Sequence, residues 1–136
     1  MLYFAYGSNL HRDGMRARCP GARPLGRAAL DEHALVFKGW ADVVPRPGSR
    51  VLGGLWRITP ACRAALDLYE GVDEGLYEAA ALPVTPEGAA GPVAALVYRM
   101  VDAPLAPPAP DDLAAILQGC RDFGLDDSAV RAAAAA

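Results

Sequence analysis

Apolar residues fall in short runs separated by glycine, proline and small polar residues, and each run predicts one element. Residues 2–6 form an aromatic-rich stretch stopped by Gly7-Ser8-Asn9, the pattern of a buried strand ending in a turn. Residues 9–18 favour helix, with Leu10 and Met15 on one side, Ser8 or Asn9 as N-cap, and Cys19-Pro20-Gly21 as the stop. Two apolar stretches, 28–30 and 35–37, predict one or two strands within 25–37. Residues 39–44 alternate loosely, and Pro45-Arg46-Pro47-Gly48 reads as a turn. Residues 51–58 predict a strong strand whose paired Gly53 and Gly54 suggest close approach of another backbone or a ligand. Thr59-Pro60 opens a helix that runs to about Tyr69, with Cys62, Leu66 and Tyr69 on one face. A glycine-punctuated loop, 70–75, leads to two strands, 76–84 and 93–100, joined by Pro86-Glu87-Gly88. A proline-rich extended connection, 103–110, precedes a last helix over 112–122 capped by Asp111. The closing alanine run, 132–136, is expected to fray.

The sum is about six strands and three helices, with consecutive strands close enough to pair as hairpins. That predicts a mixed α/β (α+β) domain with a largely antiparallel, barrel-like sheet. A chain of 136 residues fits one domain, assigned to 1–128, with an Ala-rich C-terminal tail at 129–136. Hydrophobic residues make up 53% of the chain, but alanine inflates that figure, so the informative apolar positions are the larger side chains.

Charge and cysteine usage narrow the function classes. With 13 basic and 16 acidic residues the formal net charge is −3, which supplies no footprint for nucleic acid. No basic run exists to dock on anionic lipid. Every basic residue but Lys38 is arginine, the bias of a G+C-rich, bacterial genome. Cys19, Cys62 and Cys120 are scattered and odd in number, which argues for reduced thiols rather than disulfides or zinc. His11 and His33 are too few and too isolated to hold a metal. The N-terminus lacks a basic region and cleavage pattern, and no apolar run reaches membrane-spanning length. The expectation is a soluble, cytoplasmic protein.

Two segments carry candidate chemistry. In Tyr6-Gly7-Ser8-Asn9-Leu10, a strand entering a Gly-Ser-Asn turn and then a helix exposes backbone N–H groups in one concavity, a setting suited to a carboxylate. In 67–77, Glu70 sits at a helix end, followed by Gly71 and Gly75 and flanked by Tyr69 and Tyr77. Each alone has a bland reading, as a turn and as a solvated acidic loop. Asp73 and Glu74 are competing carboxylates in that loop. Asp42 is a possible contact for a substrate ammonium, or a surface turn residue. Tyr98 is as well placed for core as for pocket.

Together, Tyr-Gly-Ser-Asn-Leu at 6–10, Gly-x-Leu-Trp at 53–56 and Leu-Asp-x-x-Glu-Gly-Val-x-x-Gly-x-Tyr at 66–77 closely resemble the gamma-glutamyl cyclotransferase-like family. The resemblance extends from residue 2 to about 125 and includes Pro-Pro-x-Pro at 107–110 and Gly124-Leu125. It implies a small domain around a twisted barrel-like sheet. It also implies an enzyme that releases 5-oxoproline from a gamma-glutamyl small molecule, as a monomer or homodimer. On the matching positions, Glu70 is the catalytic residue, the 6–10 loop binds the glutamyl end, and Tyr77 is a pocket tyrosine. One departure stands out: where family members often carry a pocket tyrosine after Pro-Pro-x-Pro, this chain has Asp111-Asp112.

The chemistry suits these groups. The substrate's α-amine attacks its own γ-carbonyl, and since that amine is an ammonium ion at neutral pH, a base must first take a proton. The same carboxylate can then protonate the departing amine. No metal or organic cofactor is required. The alternative is a non-catalytic metabolite-binding or regulatory module that keeps the same pocket.

Overall fold

The longest run of strand lies in the middle of the chain, where two neighbouring segments pair into one antiparallel ribbon. A computed structural model describes all residues, Met1 to Ala136. Strands β1 (Leu2–Ala5), β2 (Arg23–Lys38), β3 (Trp40–Arg57), β4 (Tyr77–Pro86) and β5 (Val93–Met100) close into a barrel in the order β1-β3-β2-β4-β5. The hairpin-like neighbours pair antiparallel, and a single parallel pairing, Tyr3 with Leu96, joins β5 to β1 and closes the ring. The closing seams are short, since β2 meets β4 at only Ala28–Pro86 and Ala29–Thr85, and the β2–β3 ribbon extends past them to the Gly39 tip. The mixed α+β, largely antiparallel barrel is the fold class expected, built with five strands rather than six.

The missing boundary has a physical cause. Pro45-Arg46-Pro47-Gly48 does not reverse the chain. Asp31 pairs with Arg50 and His33 with Pro45, so residues 46–49 bulge out opposite Glu32 within continuous extended ribbon. Proline has no N–H for a ladder, and a bulge accommodates it without ending the strand. Glu32 takes φ 61° and Gly48 φ 82°, and Glu32 Oε2 accepts the Gly48 N–H at 3.2 Å. The reversal falls at Gly39, between the paired Lys38 and Trp40.

The helices also differ in detail. Residues Ser8–Leu10 form a 3₁₀ turn, and α1 (Arg12–Arg18) begins only after it. The cap of α1 is His11, whose Nδ1 accepts the Gly14 N–H at 2.9 Å, so neither Ser8 nor Asn9 caps that helix. Helix α2 (Pro60–Tyr69) starts as the sequence predicts, with Thr59 Oγ1 accepting the Cys62 N–H at 3.1 Å. Helix α3 (Pro110–Phe123) begins at its proline, which places Asp111 and Asp112 in the first turn rather than at the cap. Residues read as a tail form α4 (Ser128–Ala135), anchored by the buried Val130.

Phe4, Met15, Leu66, Val97 and Ile116 have no exposed surface, so β1, α1, α2, β5 and α3 all meet in one core. Burying each such side chain is worth about 1.5–3 kcal/mol. The two β3 glycines make room for protein, not ligand. A Cβ on Gly53 would collide with the Ala5 carbonyl and the Phe4 ring, and one on Gly54 with the Phe123 ring. Gly119 supports the site from behind: a Cβ there would strike Leu10 and the His11 nitrogen, so only glycine lets α3 lie against the 8–11 turn. The Arg12 N–H, donating to Asp122 Oδ2 at 2.9 Å, fastens the same contact.

Candidate active site

A cavity of about 220 Å³ opens where the end of β1, the C-terminus of α2, the β2–β3 hairpin tip and the start of α3 converge. Its buried wall includes Tyr3, Tyr6, Asn9 and Tyr98, and its rim includes Trp40 and Tyr69, which are 52% and 45% exposed. Glu70, the residue that caps the C-terminus of α2, also lines it.

Glu70 is half-buried, and its side chain is held from the first loop. Asn9 Nδ2 donates to Glu70 Oε1 at 3.3 Å and to the Tyr3 hydroxyl at 2.9 Å. Arg18 Nε donates to Asn9 Oδ1 at 2.9 Å; since an arginine can only donate, this fixes which way the amide points. Burial raises the Glu70 pKa from 4.5 to about 7, with Arg18 opposing the rise and Asp112 adding to it. The helix C-terminus, with its partial negative charge, works in the same direction. The result is a carboxylate able both to accept and to release a proton near neutrality.

The tyrosines are committed to the protein through their hydroxyls. Tyr6 donates to the Tyr98 carbonyl at 2.6 Å, Tyr77 to the Ala41 carbonyl at 2.5 Å, and Tyr98 to Asp67 Oδ1 at 2.6 Å. Burial pushes all three, and Tyr3, above the ordinary tyrosine range. They are therefore neutral walls. On the rim, Ser8 Oγ lies 2.9 Å from the Tyr69 hydroxyl, tying the first loop to the end of α2. The Gly7 N–H donates to no protein acceptor, so it is free for a ligand in the cavity it lines.

Of the residues singled out from sequence, Tyr6, Gly7, Ser8, Asn9, Glu70, Tyr77 and Tyr98 line this cavity. Leu10 does not; it is buried in the core beside Gly119. Asp42 lies outside the cavity lining and is neither a surface residue nor free for a substrate. It is 1% exposed, paired with Lys38 Nζ at 2.7 Å, and accepts the Met100 N–H at 2.8 Å. Asp73 and Glu74 are exposed and lie outside the lining. Gly71 and Gly75 also lie outside it, and their φ values of 64° and 75° show that they serve the turn rather than a ligand. Sequence reasoning missed Tyr3, Trp40 and Ala41 as lining residues, and it missed that the Asn9 side chain orients Glu70. The cysteines are buried, unpaired thiols, and no group of three or more His, Cys, Asp or Glu is gathered to hold a metal. No helix is long and apolar enough to cross a membrane.

A barrel whose small cavity is lined by two half-buried carboxylates, Glu70 and Asp112, and by an open backbone N–H has the groups that proton transfer on a small molecule requires. Relatives narrow that class. The family model described as "Gamma-glutamyl cyclotransferase, AIG2-like" matches residues 3–118. Gamma-glutamylcyclotransferase of Bos taurus is 31% identical over 91% of this chain and 72% of its own length. The Mus musculus protein of the same name is 33% identical over the same shares. A solved structure named gamma-glutamyl cyclotransferase superposes with a TM-score of 0.85 at 29% identity, over 92% of this chain and 80% of its own. The chain belongs to the gamma-glutamyl cyclotransferase, AIG2-like family, whose named relatives are enzymes. Those two sequence relatives are mammalian and give no support to the bacterial source read from the arginine bias.

Proposed function

We propose that this protein is a gamma-glutamyl cyclotransferase-type enzyme, releasing 5-oxoproline from a gamma-glutamyl amine or amino acid, with Glu70 as base and then acid. The observation that carries the reading is Glu70 itself, a cavity carboxylate whose pKa burial raises to about 7. A carboxylate left near 4.5 would be a poor base toward an ammonium ion; one near 7 takes its proton at smaller cost and returns it readily.

The substrate's α-carboxylate is held by backbone N–H groups of the 7–9 loop, where the Gly7 N–H is open. The loop's contribution comes from individual N–H groups, since the 3₁₀ turn of three residues has little macrodipole. Tyr77 and Tyr98 pack against the glutamyl chain as neutral walls. Glu70 removes a proton from the α-ammonium. The freed amine attacks the γ-carbonyl carbon and closes the five-membered ring. As the tetrahedral centre collapses, Glu70 returns the first proton to the leaving nitrogen and the C–N bond breaks; the extra proton left on the ring nitrogen passes by way of Glu70 to the departing amine, which leaves as an ammonium ion with 5-oxoproline left behind. Holding the flexible chain in a folded pose supplies much of the acceleration, and proton transfer adds about 10²–10⁴-fold. The reaction as written needs no metal or organic cofactor. We assign the protein to the cytoplasm, acting as a monomer or homodimer.

The test is release of 5-oxoproline from a panel of gamma-glutamyl amides. Turnover that collapses in Glu70→Gln while ligand binding persists supports the assignment. Binding without release from any amide would instead establish the non-catalytic module.

A further inference from the structure

Asp112 occupies the cavity at the position where the family resemblance leads one to expect a tyrosine. Its placement is enforced. The Gly39 N–H donates to the Ala106 carbonyl at 2.9 Å and the Ala106 N–H to the Phe37 carbonyl at 3.0 Å. These two bonds pin the segment before α3 to the β2–β3 hairpin tip, so that Trp40 at the tip and Asp112 in the first turn of α3 join the same cavity wall.

The charge of that cavity is one-sided. Glu70 and Asp112 are its only carboxyl side chains, and no lysine, arginine or histidine lines it. Arg18 lies behind Glu70, its Nε on Asn9 and its guanidinium stacked 4.0 Å over the Tyr69 ring. Asp112 is half-buried, pairs with no cation, and burial raises its carboxyl above the ordinary range. An ammonium brought alongside would offset that desolvation. The exposed Trp40 ring adds a face that attracts cations. The glutamyl end belongs at the 7–9 loop and Glu70, so the substituent on the amide nitrogen is the part of the substrate that extends toward the rim.

We infer that Asp112, with Trp40, selects substrates whose departing amine carries a second, distal ammonium group, as in the gamma-glutamyl amide of a diamine, and disfavours departing groups that carry a carboxylate. The inference rests on the cyclotransferase reading for where the leaving group lies.

Three amides of matched length and different distal charge test it: gamma-glutamyl-1,4-diaminobutane, gamma-glutamyl-n-pentylamine and gamma-glutamyl-4-aminobutyrate. Binding is measured by calorimetry to Glu70→Gln, in which Asp112 is the remaining lining carboxylate, and to Glu70→Gln/Asp112→Asn. Release of 5-oxoproline is measured with the wild type and Asp112→Asn. The expected affinity order is cation, neutral, anion, with about tenfold between cation and neutral, as one charge-assisted contact gives. Asp112→Asn should remove that gap, leave the neutral amide within about twofold, and improve the anionic one. Trp40→Ala should narrow the gap in part. Equal affinities for all three in Glu70→Gln, or an equal loss for all three on Asp112→Asn, would overturn the inference. Calorimetry reads Asp112 whether or not 5-oxoproline is released, so absence of turnover with the charge order intact would sink the cyclotransferase reading alone.

Discussion

Replacing Glu70 by glutamine separates two consequences of burying its carboxylate. In the folded protein its pKa stands at about 7, with burial the largest cause, whereas the unfolded chain has the ordinary 4.5. Between those values the folded state holds a proton that the unfolded state has released. Stability is therefore fully present below pH 4.5 and declines as pH rises to about 7, beyond which the loss is complete. The gap corresponds to about 3 kcal/mol as a ceiling; solvent reaching the half-buried group reduces it to about 1–3 kcal/mol. Glutamine has nearly the same shape, keeps the oxygen that accepts from Asn9, and never ionises. Glu70→Gln and wild type should thus unfold alike near pH 4.5. At pH 8 the variant should be the more stable by about 1–3 kcal/mol, roughly 3–10 °C in Tm for a chain of this size. Circular dichroism melts of both proteins from pH 4.5 to 8 measure the difference, and the other carboxylates cancel in it. In parallel, kcat/KM of the wild type should rise with pH through about 7, and the variant should lose about 10²–10⁴-fold with no such limb. A stability difference that stays constant across the range would refute the burial argument, and retained turnover would refute the role of base.

Other substitutions probe the scaffold and the wall. Gly53→Ala drives a methyl group into the Ala5 carbonyl and the Phe4 ring and should destabilise by about 3 kcal/mol or more in urea unfolding; a loss under about 1 kcal/mol would contradict the tight β1–β3 contact. Lys38→Met strips the buried Asp42 of its cation and should cost about 3–5 kcal/mol, while Lys38→Met/Asp42→Asn should recover at least half of that in the same assay. Tyr77→Phe removes the hydroxyl that anchors the wall to the Ala41 carbonyl and should lower kcat/KM by about tenfold, far less than Glu70→Gln. An equal loss in the two variants would mean that the Tyr77 hydroxyl takes part in proton transfer.

Features written in adjacent residues were legible in the sequence. Thr59-Pro60 announces α2 because cap and N1 proline are local chemistry, and Gly7-Ser8-Asn9 announces a chain that stops being strand. What escaped depends on partners far along the chain. Pro45–Gly48 has turn composition, yet the register against β2 decides that it bulges rather than reverses, since Asp31 pairs with Arg50 and His33 with Pro45. Asp42 reads as a surface residue until β5 supplies the Met100 N–H and the hairpin folds Lys38 over it. Asn9 meets Glu70 across 61 residues, a separation that no local pattern encodes. Asp112 was visible as a departure from a family pattern, but whether it faced the cavity depended on Ala106 docking on the hairpin tip.

The position of Arg18 explains how the site keeps a basic carboxylate beside a permanent cation. A guanidinium forked directly onto Glu70 would hold the carboxyl low and make it a weak base. Here Arg18 is engaged by the Tyr69 ring at 4.0 Å and by Asn9 Oδ1 at 2.9 Å, and Asn9 presents the opposite end of its amide to Glu70 at 3.3 Å. The amide relays the orientation of the arginine without delivering its full charge. Burial therefore outweighs Arg18, and the pKa settles near 7. Asn9→Asp would replace that relay with a second carboxylate 3.3 Å from the first, forcing the pair to share a proton. Asn9→Ala would leave Arg18 free to reach Glu70. The two changes should move the acid limb of kcat/KM in opposite directions, up for Asn9→Asp and down for Asn9→Ala. Movement in the same direction in both would show that Asn9 only packs the loop.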